Sequence, residues 1–266
     1  MLSDALFLKY RTLFFKLSGI MLKEYKKYLV EYRLQKFVGE GKQFKNFKDL
    51  YEALLSGSDP VLRRDFINTL TTNYTFFFRE PEHFAFVAYY MKERAAKQDY
   101  VRLWSAACST GEEPYSMAIM VKKHLPGSFN DIKILATDIS ERVLQIAREG
   151  VYPLEKLSKS MDPSTVTKYF NCDKKEGTAR VGEDLRKLVT FGKVNLIEPP
   201  AFRKRFDIVF LRNVLIYFEN SEKEHIISRI SDILKPGGYL IVGLAESLVG
   251  IRHSLKQLKY SIYRKE

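Results

Sequence analysis

The run Leu103-Trp104-Ser105-Ala106-Ala107-Cys108-Ser109-Thr110-Gly111-Glu112-Glu113-Pro114-Tyr115-Ser116 joins a short apolar stretch to a helical one through small residues. Small side chains at such a turn let backbone approach a ligand closely, as glycines do in dinucleotide-binding folds. The G-x-G-x-x-G pattern is absent, however, and Glu112 and Glu113 stand where a pyrophosphate would have to lie. Two carboxylates at a helix start repel phosphate and suit a ligand that carries positive charge or hydroxyls. S-adenosylmethionine, with an ammonium, a sulfonium and a ribose diol, is such a ligand. A helix dipole favours first-turn acids in any case, so this pair alone does not decide. Asp138 ends the stretch Ile134-Leu135-Ala136-Thr137-Asp138. An acid at about this distance beyond the turn accepts ribose hydroxyls, although it serves equally well as a helix N-cap. The two acidic features together favour the ribose role. His83, His124, His225 and His253 are scattered without metal-ligand spacing, and no metal is expected.

These residues need a scaffold, and the apolar spacing supplies one. From Ala5 to about Glu80 the pattern is helical: Leu6, Tyr10, Leu13, Phe14 and Leu17 recur at threes and fours, and Tyr25, Tyr28, Leu29, Tyr32 and Leu34 nearly do so. Gly19, then Gly39 and Gly41, punctuate the first helices; Phe47–Leu55 reads as a third, and Asp59-Pro60 starts another. After Glu80-Pro81 the pattern becomes strand, turn, helix. Val101–Ala106, Ile132–Thr137, Phe206–Leu211 and Tyr239–Leu244 read as strands; Glu112–His124, Glu141–Arg148 and Ser221–Leu234 read as helices. Such alternation predicts a mostly parallel sheet with helices on both faces, an α/β doubly wound architecture behind an all-α N-terminal domain. The expected division is residues 1–80 and 81–266. A small β insertion is expected at about 161–191, from short strands at Tyr169–Cys172, Ala179–Val181 and Leu188–Phe191.

At 266 residues and 45% hydrophobic the chain can build a sizeable core, and no apolar run is long enough for a membrane span. Its start is interrupted by Asp4, Lys9, Arg11 and Lys16, so neither signal peptide nor anchor is read there. Two cysteines, Cys108 and Cys172, are too few for a disulfide framework, which makes a cytoplasmic setting the expectation. The net charge is +12, and residues 1–48 hold eleven Lys and Arg against four Asp and Glu, more than half of that excess. A solvated helix face and an acidic partner both account for it.

Five segments in order resemble the chemotaxis receptor methyltransferases, the CheR family: Thr71–Glu80, Trp104–Ser116, Ala136–Ser140, Leu211–Phe218 (LRNVLIYF) and Leu234–Leu248 (LKPGGYLIVGLAESL). The similarity runs from about Phe7 to Tyr263. It departs at Tyr74, where the family commonly has Leu, and at Gly243-Leu244-Ala245-Glu246, where Gly-His-Ser-Glu is common. The resemblance implies a Rossmann-like S-adenosylmethionine-dependent methyltransferase that releases S-adenosylhomocysteine. It implies cofactor contacts from Asn73, Thr75 and Arg79 in the segment joining the domains, Glu112 toward the methionine end, Asp138 on the ribose, Asn195 and Leu196 on the adenine side, and Arg212 and Asn213 flanking the sulfonium. Tyr217 resembles a tyrosine near the transferred methyl, though an aromatic there also reads as packing. Arg79 or Arg212 is expected to orient the acceptor carboxylate.

The acceptor so implied is a glutamate on the cytoplasmic helices of methyl-accepting chemotaxis receptors. The basic helix containing Lys23, Lys26, Lys27, Arg33 and Lys36 would lie along them, and the β insertion resembles a subdomain that in some family members docks a receptor C-terminal peptide as an added strand. A monomer without nucleic-acid partner or membrane insertion is expected. Two rivals share the fold: a nucleic-acid methyltransferase and a catalytically silent S-adenosylmethionine-binding regulator. Against the first, base amino-methylation commonly uses an Asn/Asp-Pro-Pro-aromatic loop; Leu211-Arg212-Asn213-Val214 stands there instead, and Glu198-Pro199-Pro200-Ala201 lacks the acid amide and the aromatic.

Overall fold

The computed structural model describes residues 1–93, 97, 99–125, 131–259 and 261–266. Four helices open the chain: α1 (Asp4–Ser18), α2 (Lys27–Leu34) preceded by a 3₁₀ turn at Glu24–Lys26, α3 (Phe47–Ser56) and α4 (Pro60–Leu70). Side chains set their starts. The Asn46 carboxamide oxygen accepts from the Lys48 and Asp49 amides, and Asp59 accepts from Val61 and Leu62 ahead of Pro60 at the first helical position. Tyr10, Phe14, Leu34, Leu50, Leu54 and Phe66 are wholly buried between these helices, and the Tyr10 hydroxyl donates to the Phe47 carbonyl at 2.7 Å.

The second helix does not bury the face its aromatics suggest. Tyr25, Tyr28 and Tyr32 are 76%, 79% and 64% exposed, the latter two stacked on one another; Val30 and Leu34 make the inward contacts. Nor is its charge all free. Arg33 donates to the carbonyls of Leu70 and Thr71 at the end of α4, and Lys27 pairs with Asp4 at 2.6 Å.

The rest of the chain is α5 (Pro81–Glu93), β1 (Val101–Ala106), α6 (Glu112–His124), β2 (Ile132–Asp138), α7 (Glu141–Glu149), β3 (Val151–Pro153), α8 (Leu154–Ser158), α9 (Pro163–Tyr169), β4 (Phe170–Asp173), β5 (Thr178–Val181), α10 (Glu183–Arg186), β6 (Val189–Lys193), β7 (Phe206–Leu211), α11 (Asn220–Ile233), β8 (Leu234–Val242), β9 (Lys256–Lys259) and β10 (Ile262–Arg264). The main sheet has the order β6-β2-β1-β7-β8-β10-β9, parallel from β6 to β8, with β10 and β9 antiparallel at the edge. Alternate residues serve its two faces. Leu103, Ile134, Ile208 and Phe210 pack under α5 and α6, whereas Trp104, Val209, Leu211 and Leu240 pack with Ile226, Ile227 and Ile230 of α11.

The α/β doubly wound expectation is met, with two local corrections. Leu188–Phe191 is not a strand of the insertion. It falls in β6, which pairs with β2 from Ile134↔Val189 to Asp138↔Lys193 in the main sheet. The third strand of the small sheet is β3, which lies earlier than expected and joins β5 and β4 in the order β3-β5-β4. Strand β8 begins at Leu234, before the Pro236-Gly237-Gly238 turn, and a register shift against β7 absorbs those residues. Among the described residues no helix is long and apolar enough to cross a membrane, and no His, Cys, Asp and Glu cluster could hold a metal.

Candidate functional site

The chain leaves β1 toward β2 and β6 on one side and reaches β7 and β8 on the other, so the order reverses between β1 and β7. A crevice forms beyond the carboxyl ends of strands at such a reversal. It is lined here by Ala107, Cys108 and Ser109 after β1, Asp138 and Ile139 after β2, Val194–Leu196 after β6, and Arg212–Val214 with Tyr217 and Phe218 after β7. The N-terminal helices close the far side with Ser18, Ile20–Leu22, Lys26 and Leu29, and residues 70–75 with Arg79 run along it. The cleft opens to solvent. The closing wall is fastened to the loop after β7: the Met21 amide donates to the Tyr217 carbonyl at 3.0 Å. A methyl group on Gly19 would come within 2.3 Å of Ile197, so this seam needs glycine.

Non-glycine residues in the left-handed region gather around this cleft: Phe78, Glu80, Ala107, Ser109 and Asn213. Such conformations persist where surrounding contacts over-determine them, commonly at ligand sites. The Asp138 carboxylate supplies contacts of that kind, accepting from the Ser109 and Ser140 amides at 2.9 Å each. Burial pushes its pKa up against the backbone amides of Ser140, Ser109 and Ile139. A carboxylate has about four lone-pair sites, so capacity for ligand hydroxyls remains.

Glu246, after β8, accepts from the amides of Asn213 (2.6 Å), Gly243 (2.8 Å) and Leu215 (2.8 Å) and so holds the loop after β7 in place. The departure at Leu244 and Ala245 leaves this function intact, because the loop is held by Glu246 and by backbone. At the other departure, the exposed Tyr74 ring lies 5.5 Å from the Arg79 guanidinium, which donates to the Tyr74 carbonyl.

Nine of the ten expected site residues meet at the cleft: Asn73, Thr75, Arg79, Asp138, Asn195, Leu196, Arg212, Asn213 and Tyr217. Glu112 does not. Its carboxylate is fully buried, pairs with Lys156 and accepts from the Thr110 hydroxyl, which turns it away from the cleft. The acid on the cleft wall is its neighbour Glu113, bonded to Ser105 at 2.6 Å and paired with Arg212 at 3.0 Å. Burial raises the Glu113 pKa in spite of Arg212.

Arg212 is placed differently from its expected role of orienting an acceptor. Its guanidinium is buried and bonded to Glu113, to Glu80 through Nε and Nη2, and to the Arg79 carbonyl. It ties loops together and has little capacity left for a substrate. Glu80 and Glu246 carried no recognised role in the sequence, and Glu113 figured only as one of two first-turn acids, with Glu112 taken as the ligand contact. The available signal was that each is an acid beside a site motif.

The residues present suit S-adenosylmethionine. Acids face the cleft at Glu113 and Asp138, Asn195 lines it beside them, and apolar side chains of Leu22, Leu29, Ile139, Leu196 and Val214 form walls. The comparisons agree. The family model described as "CheR methyltransferase, SAM binding domain" matches residues 73–264, and "CheR methyltransferase, all-alpha domain" matches residues 5–71. The chemotaxis protein methyltransferase 2 of Pseudomonas aeruginosa is 37% identical over 262 residues, covering 97% of this chain and 91% of that protein. The chemotaxis protein methyltransferases of Borreliella burgdorferi and Escherichia coli are 35% and 36% identical, covering 93% and 92% of this chain and 89% and 85% of theirs. Among solved structures, the N-methyltransferase NodS from Bradyrhizobium japonicum with S-adenosyl-L-homocysteine aligns at 12% identity and TM-score 0.34, covering 61% of this chain and 60% of that one. The chain therefore belongs to the CheR methyltransferase family, with S-adenosylmethionine as its methyl donor.

Proposed function

We propose that this protein methylates glutamate side chains on chemotaxis receptors, forming glutamyl methyl esters and S-adenosylhomocysteine. One observation carries the reading: two cations, Arg79 and Lys26, line the cleft beside Tyr217, and among the described residues neither forms an ion pair. Cations left without a carboxylate partner in a cleft lined largely by apolar residues favour an anionic acceptor. A nucleobase amine would gain nothing from them.

The donor, when bound, supplies an electrophilic methyl on a sulfonium. The protein's part is positional. A glutamate has an unperturbed pKa of about 4.3 and is ionised at neutral pH, so no residue must remove a proton. Arg79 and Lys26 would orient the acceptor carboxylate, one oxygen of which bonds to the methyl carbon as the carbon–sulfur bond breaks and sulfur keeps the electron pair. Tyr217 borders that approach. Burial holds its hydroxyl above the usual phenol range, so it stays neutral and does not compete as a nucleophile. The apolar walls exclude water from the carboxylate, which together with alignment accounts for the acceleration.

On the same reading the protein acts in the cytoplasm as a monomer. The exposed aromatic and basic side of α2 would lie along receptor helices, and an edge of the β3-β5-β4 sheet would take up a receptor C-terminal peptide. Transfer of labelled methyl to receptor-containing membranes tests this, with total RNA as a parallel acceptor. Base-labile label on receptor is expected. Label on RNA, or tight donor binding without transfer, would replace the proposal with a nucleic-acid enzyme or a silent regulator.

A further inference from the structure

We infer that Glu80 is a positioning residue that aims Arg79 into the cleft. Arg79 lies between Phe78 and Glu80, which have φ of +55° and +59°. Two left-handed residues around one ordinary residue make a compact kink that side chains with a Cβ do not hold unaided. This kink is gripped on both sides. Ser116 Oγ accepts from the Phe78 amide at 3.0 Å, and Arg212 Nη2 donates to the Arg79 carbonyl.

Glu80 supplies the third hold. One carboxylate oxygen accepts from Arg212 Nε and Nη2 at 3.2 and 3.0 Å and from the Leu244 amide at 3.1 Å; the other accepts from Asn213 Nδ2 at 3.2 Å. His83 Nδ1 lies 3.3 Å from the first oxygen. One side chain thus ties the kink to the loops after β7 and after β8, while standing outside the residues that line the cleft. Burial works to raise the Glu80 pKa, but His83, Arg212 and Asn213 outweigh it and hold the carboxyl well below the usual range. Glu80 therefore remains an acceptor throughout the working pH range. No partner of Glu80 depends on it for charge alone; they depend on where its oxygens sit.

The inference rests on Arg79 being the cation that faces donor and acceptor. A double-mutant cycle on the full-length protein tests it, with S-adenosylhomocysteine affinity by calorimetry and kcat for receptor methylation as separate readouts. Glu80→Gln keeps the volume but presents an amide where three donors converge. In the wild-type background it should weaken affinity and lower kcat by roughly tenfold, the scale of a lost charge-assisted bond. In an Arg79→Ala background it should add no further loss. Losses that multiply across the two backgrounds would show that Glu80 acts by general stability and overturn the inference, as would an unchanged Glu80→Gln. If Glu80→Gln loses its near-ultraviolet circular dichroism, Glu80→Asp, with the charge kept and the arm shortened, decides in the same cycle. Wild-type protein that binds S-adenosylhomocysteine but transfers no methyl would defeat the proposed function, and the affinity cycle would still judge Glu80.

Discussion

Replacing Arg212 by Gln separates the structural role assigned to it here from a catalytic one, through the pH dependence of the damage. The guanidinium lies between Glu80 and Glu113, whose side chains are 14% and 13% exposed, while its own is 1% exposed. Removing one partner of a buried ion pair costs about 3–5 kcal/mol, because the other charge is stranded. Here two carboxylates are stranded, and the cheapest escape is to protonate one of them. Protonating a group of pKa about 4.3 takes about 2.3 kcal/mol at pH 6 and about 5 kcal/mol at pH 8, at 1.36 kcal/mol per unit. The loss relative to wild type should therefore be about 2–3 kcal/mol at pH 6 and rise to about 4–5 kcal/mol at pH 8. The sign follows from linkage. In the wild type the depressed pKa of Glu80 contributes stability that is fully present above the unfolded value of about 4.3 and fades only as pH falls through the folded value. In the variant the carboxyl pKa values rise instead, so the folded form binds an extra proton and loses ground as pH rises. Urea unfolding followed by Trp104, the single tryptophan and wholly buried, measures this. A loss that stays constant from pH 6 to 8, or one below about 1 kcal/mol, would refute Arg212 as a buried strut.

Glu113→Gln should weaken S-adenosylhomocysteine binding by roughly tenfold, whereas Glu112→Gln should lower the melting temperature with affinity almost unchanged; calorimetry on both variants checks the assignment. Asp138→Asn places an amide against the Ser109 and Ser140 donors and should reduce the same affinity by roughly 10- to 100-fold. Tyr217→Phe should lower kcat by no more than about tenfold. The wild-type rate should be flat between pH 6.5 and 8.5, since the acceptor is already ionised and Tyr217 stays neutral; a rate rising with slope one across that range would mean that a base is needed. Neutralising Lys23, Lys26 and Lys27 together should raise KM for receptor several-fold, while sparing Arg33, which caps α4.

Strands β1 and β7 were readable to the residue because each is a short, mostly apolar run between polar turns, interrupted only by Arg102 and Ser105 in the first and Asp207 in the second, as suits a parallel strand buried on both faces. The edge hairpin β9–β10 was not, since β9 is exposed along its whole length and carries no alternation. Leu188–Phe191 was assigned to the insertion because a short apolar run does not reveal which sheet it joins; only pairing with β2 decides. Tyr25, Tyr28 and Tyr32 mimic a core stripe at near-helical spacing, yet face solvent. The cleft was legible where a motif carries its own geometry, as at Asp138 on a strand end. It failed at Glu112, because adjacent helix positions diverge by about 100° and the sequence does not say which of two acids faces inward. Glu80 and Glu246 acquire their roles through partners 132 and 31–33 residues away, which no local pattern displays.

The seam between the N-terminal helices and the loop after β7 limits how modular this enzyme can be. Residues from Ser18 to Leu29 form part of the cleft wall, Met21 bonds to Tyr217, and Gly19 sits against Ile197. A chimera that imports the whole helical segment from a relative therefore imports part of the cleft wall as well and, on the proposed reading, alters donor affinity along with any change of target. Grafting only the solvent-facing side chains Lys23, Tyr25, Tyr28 and Tyr32 leaves the wall in place. On the proposed reading, partner choice and donor binding can then be exchanged independently.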